Sequence, residues 1–137
     1  MDRDVESEFV ILVVEDDRVL RMALTHIFKN EGFEVLEASS GRQGLEVATA
    51  TPRLDLILTD VVMPDGDGRT MVRQLEALRP DVQVLFVTGL ARLVEPGEVT
   101  LDGHPLLYKP FDINALLDTV WGVLGAKDSC AQRENAS

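Results

Sequence analysis

Four short polar segments directly follow apolar stretches, and their side chains are of the kinds that handle phosphoryl groups and divalent cations. They are Glu15-Asp16-Asp17, Thr59-Asp60, Thr88-Gly89 and Lys109-Pro110. Carboxylates that lie close together cannot all stay ionised without a counter-cation, and hard oxygen ligands suit Mg²⁺. An Asp carboxylate can also be a nucleophile that forms an acyl phosphate, and a lysine ammonium pairs with phosphoryl oxygens. The pattern predicts magnesium-assisted phosphoryl chemistry, provided that the fold brings the four segments together.

Five apolar stretches and the periodic segments between them would have to position these residues. The apolar stretches predict strands over 9–14, 33–38, 54–59, 82–87 and 106–108. Apolar residues at helical spacing predict helices from Asp17 to Gly32, over 40–50, over 69–79 and from Asp112 to Gly125, with Asp17, Ser40 and Asp112 as N-caps. The Pro96-Gly97 pair predicts a short or broken helix between the last two strands.

The alternation of strands and helices indicates the fold class. Strand–helix–strand units favour a parallel sheet with right-handed crossovers. We therefore predict an α/β fold with a doubly wound five-stranded parallel sheet in the order 2-1-3-4-5, a flavodoxin-like three-layer sandwich. Sites in such sheets form beyond the carboxyl ends of the strands, which is where all four polar segments fall.

Length and composition limit the domain organisation and exclude several function classes. The 137 residues fit one domain, predicted over 9–125, with a loose segment at 1–8 and a polar, disordered tail at 126–137. The net charge of −11 argues against nucleic-acid binding. No apolar run approaches the roughly 20 residues of a membrane span. Because the single cysteine also fits a reducing compartment, a cytoplasmic protein is predicted.

The motifs resemble the receiver domains of two-component response regulators, the CheY-like superfamily. The resemblance rests on residues 11–17, 60–68, 88–89 and 109–111 and extends from residue 8 to 125. It implies that Asp60 is the phosphoacceptor and that Thr88 and Lys109 bind the phosphoryl group. It implies Mg²⁺ as cofactor, with these ligands: Asp16, Asp60, the backbone carbonyl of Val62, and Glu15 through water.

The same resemblance carries expectations about geometry and partners. It implies a cis peptide bond at Lys109–Pro110, and glycines from Gly66 to Gly68 that shape the loop beside the site. It implies a histidine kinase or histidine phosphotransfer protein as donor and a downstream protein whose identity the sequence leaves open. The chain would be a signalling switch that catalyses only its own phosphorylation and dephosphorylation, as a monomer or weak dimer.

Two departures from the family pattern concern the face that transmits the signal. Leu106 stands three residues before the lysine, where many receivers carry Tyr or Phe, and Tyr108 is predicted to point to a different face than Leu107. The Pro96-Gly97 break is the second departure. Both features are similar to those of receivers in hybrid kinases and of stand-alone receivers.

Three functions follow as hypotheses. The leading one is a single-domain response regulator that switches protein interactions or passes the phosphoryl group along a phosphorelay. The second is a Mg²⁺-dependent aspartyl phosphatase, which usually needs a second Asp two residues after the nucleophile, where this chain has Val62. The third is a pseudo-receiver that binds partners without being phosphorylated.

Overall fold

The computed structural model describes residues 9–63, 66–89 and 100–127. The strands are β1 (Val10–Val14), β2 (Glu34–Ala38), β3 (Leu56–Asp60), β4 (Val62–Met63), β5 (Gly66–Asp67), β6 (Gln83–Thr88), β7 (Thr100–Leu101) and β8 (His104–Tyr108). The helices are α1 (Arg18–Asn30), α2 (Gly41–Ala50), α3 (Gly68–Leu78) and α4 (Ile113–Lys127). The predicted terminal segment 1–8, the Pro96-Gly97 break and most of the predicted tail lie outside the described residues.

The main sheet has the order β2-β1-β3-β6-β8-β7. Within this sheet the four neighbouring pairs β2–β1, β1–β3, β3–β6 and β6–β8 are parallel. The predicted five-stranded order 2-1-3-4-5 is therefore confirmed. The sixth strand, β7, pairs antiparallel with β8 and was not predicted. A strand of two residues is too short to show an alternating pattern in the sequence. The chain reverses direction between β7 and β8 through left-handed backbone at Asp102 (φ 53°) and Gly103 (φ 84°).

Burial on both faces explains why the central strands are continuous apolar runs. Every residue of β1 and of β3 is buried. Leu12 and Val14 face the side covered by α2 and α3, whereas Ile11 and Val13 face the side covered by α1 and α4. Helices thus cover both faces of a mostly parallel sheet, which is the predicted three-layer sandwich.

The predicted caps fix where three helices begin. The Asp17 carboxylate accepts hydrogen bonds from the backbone N–H groups of Val19 and Leu20, at 2.9 and 3.2 Å. Ser40 and Asp112 cap their helices in the same way. These assignments are confirmed, as is the end of α1 near Gly32, whose φ is 95°.

The end predicted for the last helix is wrong. Helix α4 runs through Gly125 to Lys127. Glycine lowers helix propensity but ends a helix only where the backbone turns left-handed. Leu124 is fully buried, and its packing against the sheet supports this last turn. No helix in the described ranges is both long and apolar enough to cross a membrane.

Candidate functional site

Strand register brings the predicted polar segments together at the carboxyl edge of the sheet. Val14 pairs with Thr59, so the residues that follow them, Glu15 and Asp60, are neighbours. Asp60 pairs with Val87, the residue before Thr88. Thr88 in turn pairs with Tyr108, the residue before Lys109. Parallel strands end at one edge of the sheet, so the predicted residues at the ends of β1, β3, β6 and β8 lie at the same crevice.

The ammonium of Lys109 joins two of the carboxylates. Its Nζ lies 2.7 Å from Oδ2 of Asp60 and 3.0 Å from Oε1 of Glu15. Both acids are buried, with only 1% of Glu15 and 7% of Asp60 exposed. The other oxygen of Glu15 accepts a hydrogen bond from the Asp17 N–H at 3.0 Å. Two buried carboxylates therefore share one cation.

Asp16 adds a third carboxylate at the exposed rim of the crevice. One oxygen each from Glu15, Asp16 and Asp60 lie within 4.8 Å of one another. We call these three residues and Lys109 the acidic site. Three carboxylates facing one ammonium leave an excess of negative charge, which a divalent cation would neutralise. Oxygen donors, one of them exposed, suit Mg²⁺, because this ion usually retains several water ligands.

Burial and hydrogen bonding shift the pKa values of two groups in the acidic site. Burial raises the pKa of Glu15, and hydrogen bonds from the Asp17 N–H and from Lys109 oppose that rise only in part. Burial by itself would lower the pKa of Lys109, but its hydrogen bonds to Asp60 and Glu15 outweigh this and raise the pKa. Lys109 is therefore held as a cation beside Asp60.

The start of α3 lies against the backbone of Asp60. A Cβ atom added to Gly68 would stand 2.1 Å from the Asp60 carbonyl oxygen, so only glycine fits. The Gly68 N–H donates to the Val61 carbonyl at 2.7 Å. The glycine predicted to shape this loop is thus required by a close approach of two backbones, and its φ is not left-handed.

The remaining predicted residues lie close to the acidic site. Thr88 is buried at the end of β6, and its carbonyl accepts a hydrogen bond from the Lys109 N–H at 2.8 Å. The Lys109–Pro110 peptide bond is cis, as predicted. The Val62 N–H donates to Oδ1 of Asp60 at 3.3 Å, so the backbone of Val62 borders the carboxylate. The ligand role of its carbonyl stays a prediction.

Residues 11–121 match the family model described as the response regulator receiver domain. The chain belongs to the receiver domain family. This match covers nearly all of the sheet and its helices, and it includes every residue of the acidic site.

Two relatives differ in how much of their own length this receiver matches. The chain is 33% identical over 127 residues to the sensor kinase CckA of Brucella abortus, covering 91% of this chain but only 13% of the kinase. It is 30% identical to sporulation initiation phosphotransferase F of Bacillus subtilis, covering 87% of this chain and 96% of that protein. This receiver is therefore similar both to a small part of a kinase and to nearly the whole of a small phosphotransferase.

Solved structures give the same result for the fold. A response regulator receiver domain from Clostridium thermocellum superposes with a TM-score of 0.78 at 26% identity, covering 87% of this chain and 96% of that one. The CheY chain of a CheX–CheY–BeF3–Mg²⁺ complex from Borrelia burgdorferi gives a TM-score of 0.73 at 26% identity, covering 85% and 89%. The flavodoxin-like fold of this receiver is thus shown by its neighbours as well as by its topology.

The first family departure, at Leu106 and Tyr108, has a clear position in this receiver, whereas the Pro96-Gly97 break lies outside the described residues. Leu106 is 5% exposed and belongs to the core between the sheet, α2 and α3. Tyr108 packs against that same core, whereas Leu107 packs against the core on the α1 and α4 side. The predicted difference in facing between Tyr108 and Leu107 is confirmed. An aliphatic side chain thus fills the place of the usual aromatic.

One residue beside the acidic site was missed by sequence reasoning. Arg21 of α1 donates from Nη1 to the Glu15 carbonyl oxygen at 2.7 Å. Its only signal in the sequence is a basic residue one turn into the helix that follows the acidic strand end. Many surface arginines show the same signal, and only the packing of α1 beside β1 brings this one to the site.

Proposed function

We propose that this receiver takes a phosphoryl group onto Asp60 from a phosphohistidine of a kinase or phosphotransfer protein. It then changes which proteins it binds or passes the phosphoryl group onward. The observation that carries the proposal is the 2.7 Å contact between Lys109 Nζ and Oδ2 of a buried Asp60, inside a crevice with two further carboxylates. The donor class follows from the receiver family and from the kinase and phosphotransferase among its relatives.

The transfer step needs a nucleophile, a cation for the phosphoryl oxygens and a way to reduce charge repulsion. A carboxylate oxygen of Asp60 attacks phosphorus, and the bond from phosphorus to the histidine nitrogen breaks as the acyl phosphate forms. Lys109 stays protonated and can move its contact from the carboxylate to a phosphoryl oxygen. The Thr88 hydroxyl, at the adjacent strand end, would donate to another oxygen.

Magnesium fits this arrangement. Bound Mg²⁺ would neutralise charge on the transferring phosphoryl group. Its ligands would be Asp16, Asp60 and the carbonyl of Val62, with Glu15 acting through water. The acidic site supplies the carboxylate oxygens within 4.8 Å of one another, and a CheY chain of similar fold has been crystallised in a complex with BeF3 and Mg²⁺.

Phosphorylation would act as a switch because it adds charge and hydrogen-bond acceptors at one strand end. Movement of Thr88 toward the phosphoryl group would alter the face formed by β6 and β8. In this receiver Leu106, and no aromatic side chain, fills the core position behind that face. We therefore propose that the output passes through a path other than rotation of an aromatic side chain.

The phosphatase hypothesis has less support. Its acid would stand two residues after the nucleophile, and that position is Val62, an aliphatic residue that is 45% exposed. A valine cannot donate a proton to a leaving group.

The cytoplasmic location and the monomeric or weakly dimeric state stay predictions.

Labelling with a small acyl-phosphate donor tests the proposal. Intact mass spectrometry should show one added phosphoryl group with Mg²⁺ and none without it. Asp60→Asn should remove the label, because an amide oxygen cannot form the acyl phosphate. Asp17→Asn is the matched control: Asp17 also lies beside β1 but caps α1, so the labelling should persist.

Two further results bear on the assignment. Equal labelling of Asp60→Asn and the wild type would rule out Asp60 as the acceptor. Transfer from a purified phosphorylated histidine phosphotransfer protein, lost in the same variant, would identify the donor class.

A further inference from the structure

We infer that Arg21 is a positioning residue for the magnesium site, which it serves by fixing the peptide that joins Glu15 to Asp16. This inference rests on the proposed function, because it concerns the ligands of the same metal. Arg21 touches none of the carboxylates of the acidic site in any contact that the described residues show. Its role would be to orient Asp16 through the backbone.

The backbone of Glu15 is held on both sides. Its N–H donates to the Ala38 carbonyl at the end of β2, at 3.0 Å. Its carbonyl accepts the hydrogen bond from Arg21 Nη1, at 2.7 Å. The second bond is charge-assisted and falls in the short range expected for a guanidinium donor. Both peptide planes next to Glu15 are thereby fixed in orientation.

Asp16 depends on this backbone more than Glu15 does. The Glu15 carboxylate is oriented by Lys109 and by the Asp17 N–H. The Asp16 side chain is exposed, and the described part of the chain offers it no hydrogen bond or ion pair. Its direction is therefore set by the backbone to which it is attached, and the carbonyl held by Arg21 lies in the peptide immediately before it.

Arg21 is itself fixed by a second contact. Its Nε donates to Oε1 of Glu37 at 3.3 Å, and the Arg21 side chain is only 17% exposed. Glu37 is next to Ala38, so the end of β2 holds the Glu15 peptide directly through Ala38 and indirectly through Arg21. A lysine has a single ammonium group and cannot reproduce the two-sided geometry of a guanidinium.

Groups that orient metal ligands without touching the metal affect affinity strongly. Their removal typically weakens metal binding by about 10- to 100-fold. We expect Arg21→Met to raise the Mg²⁺ dissociation constant by about tenfold. Glu37→Gln, which weakens the support of the guanidinium but leaves the carbonyl contact, should have a smaller effect, of about two- to threefold.

Arg18→Met is the matched control. Arg18 carries the same charge on the same helix, is exposed, and makes no hydrogen bond or ion pair with any residue that the structure describes. The variant removes one positive charge near the acidic site without touching the Glu15 carbonyl. A change of about twofold or less is expected from an exposed charge.

The experiment is calorimetric titration of Mg²⁺ into the unphosphorylated wild type, Arg21→Met, Arg21→Lys, Glu37→Gln and Arg18→Met. Labelling rates with an acyl-phosphate donor are then measured against Mg²⁺ concentration. A positioning role predicts that Arg21→Met needs about ten times more Mg²⁺ for half-maximal labelling yet reaches nearly the wild-type rate at saturation. A merely structural role would lower the saturated rate without this shift.

Two outcomes would overturn the inference while leaving the proposed function intact. Arg21→Met could bind Mg²⁺ as the wild type does, or Arg18→Met could weaken binding equally, so that charge alone would account for the effect. If Arg21→Met does not fold, Arg21→Lys and Glu37→Gln decide, since wild-type affinity in both contradicts the inference. A wild type that neither binds Mg²⁺ nor is labelled would overturn the proposed function and this inference with it.

Discussion

Two charged clusters in this receiver are built in opposite ways. In the acidic site, buried carboxylates outnumber the single ammonium. The second cluster joins α3 to the turn between β7 and β8, and we call it the hairpin clamp. It consists of Arg69, Arg73, Glu76, Asp102 and His104.

The charged groups of the hairpin clamp pair with one another. Arg69 donates to both oxygens of Asp102 at 2.9 Å, Arg73 lies 3.9 Å from the same carboxylate, and Glu76 contacts His104. These groups are partly exposed and need no further ion. A buried excess of one charge indicates a functional site, because burial of unmatched charge is costly unless a ligand later compensates it. A balanced, partly exposed cluster indicates that an element is being fastened.

Removing one cation from each cluster should change the phosphorylation rate very unequally, and this is the largest difference expected between the clusters. Lys109→Met should slow phosphorylation of Asp60 by about 100-fold at saturating Mg²⁺, because a preorganised positive group beside the transferring phosphoryl is lost. Arg73→Met removes a cation from the hairpin clamp and should leave the rate unchanged within error. Time courses by intact mass spectrometry measure both. Equal rates in the two variants would contradict the distinction between the clusters.

Gly68 and Arg69 are adjacent, yet each serves a different cluster. Gly68→Ala should destabilise the fold by about 1–3 kcal/mol, because the new Cβ overlaps the Asp60 carbonyl oxygen. Gly122→Ala is the control: a Cβ at this exposed position in α4 meets nothing within 4 Å, and the change should stabilise the helix by about 0.5–1 kcal/mol. Urea denaturation measures both. A neutral Gly68→Ala would show that α3 can move away from Asp60.

The two clusters should also contribute to the free energy of unfolding with opposite dependence on pH. Burial raises the folded-state pKa of Glu15, so this carboxyl is more often protonated in the folded chain than in the unfolded chain at pH values above the ordinary Glu pKa. Without Mg²⁺, the contribution of Glu15 to the free energy of unfolding should therefore fall as pH rises through that window, and Glu15→Gln should remove this part of the slope. Denaturation between pH 4 and 7, compared with the variant, tests this; the same slope in both would exclude Glu15 as its source.

The smallest change in stability is expected when an ion pair of the hairpin clamp is removed. The hydrogen bond from Arg69 lowers the pKa of Asp102, so its contribution is present above the ordinary Asp pKa and is lost as pH falls below it. Arg69→Gln should cost only about 0.5 kcal/mol near pH 7, because the pair is partly exposed and screened by solvent. The difference from the wild type should vanish at acidic pH. A persistent difference there would assign the effect to packing of the Arg69 side chain.

The local sequence pattern predicted the structure correctly wherever a single helix or strand decides it. The continuous apolar run of β1 predicted a strand buried on both faces, and Asp17, Ser40 and Asp112 predicted the starts of three helices. Prediction failed where a contact with another element decides. Gly125 does not end α4, because Leu124 packs on the sheet, and β7 exists only because the chain reverses at Asp102 and pairs with β8.

The sequence by itself determined the parallel fold, the strand order and the placement of Glu15, Asp16, Asp60, Thr88 and Lys109 at strand ends. The fold and the strand-end positions follow from apolar periodicity and from the rule that parallel strands end at one edge, and the strand order is the one common to doubly wound sheets of this size. Only the tertiary structure decided that Arg21 holds the Glu15 carbonyl, that Gly68 lies against Asp60 and that Arg69 fastens the β7–β8 turn. The physical reason is that each of these contacts joins two different elements or an element and a turn, and its geometry is fixed only when helices pack against the sheet.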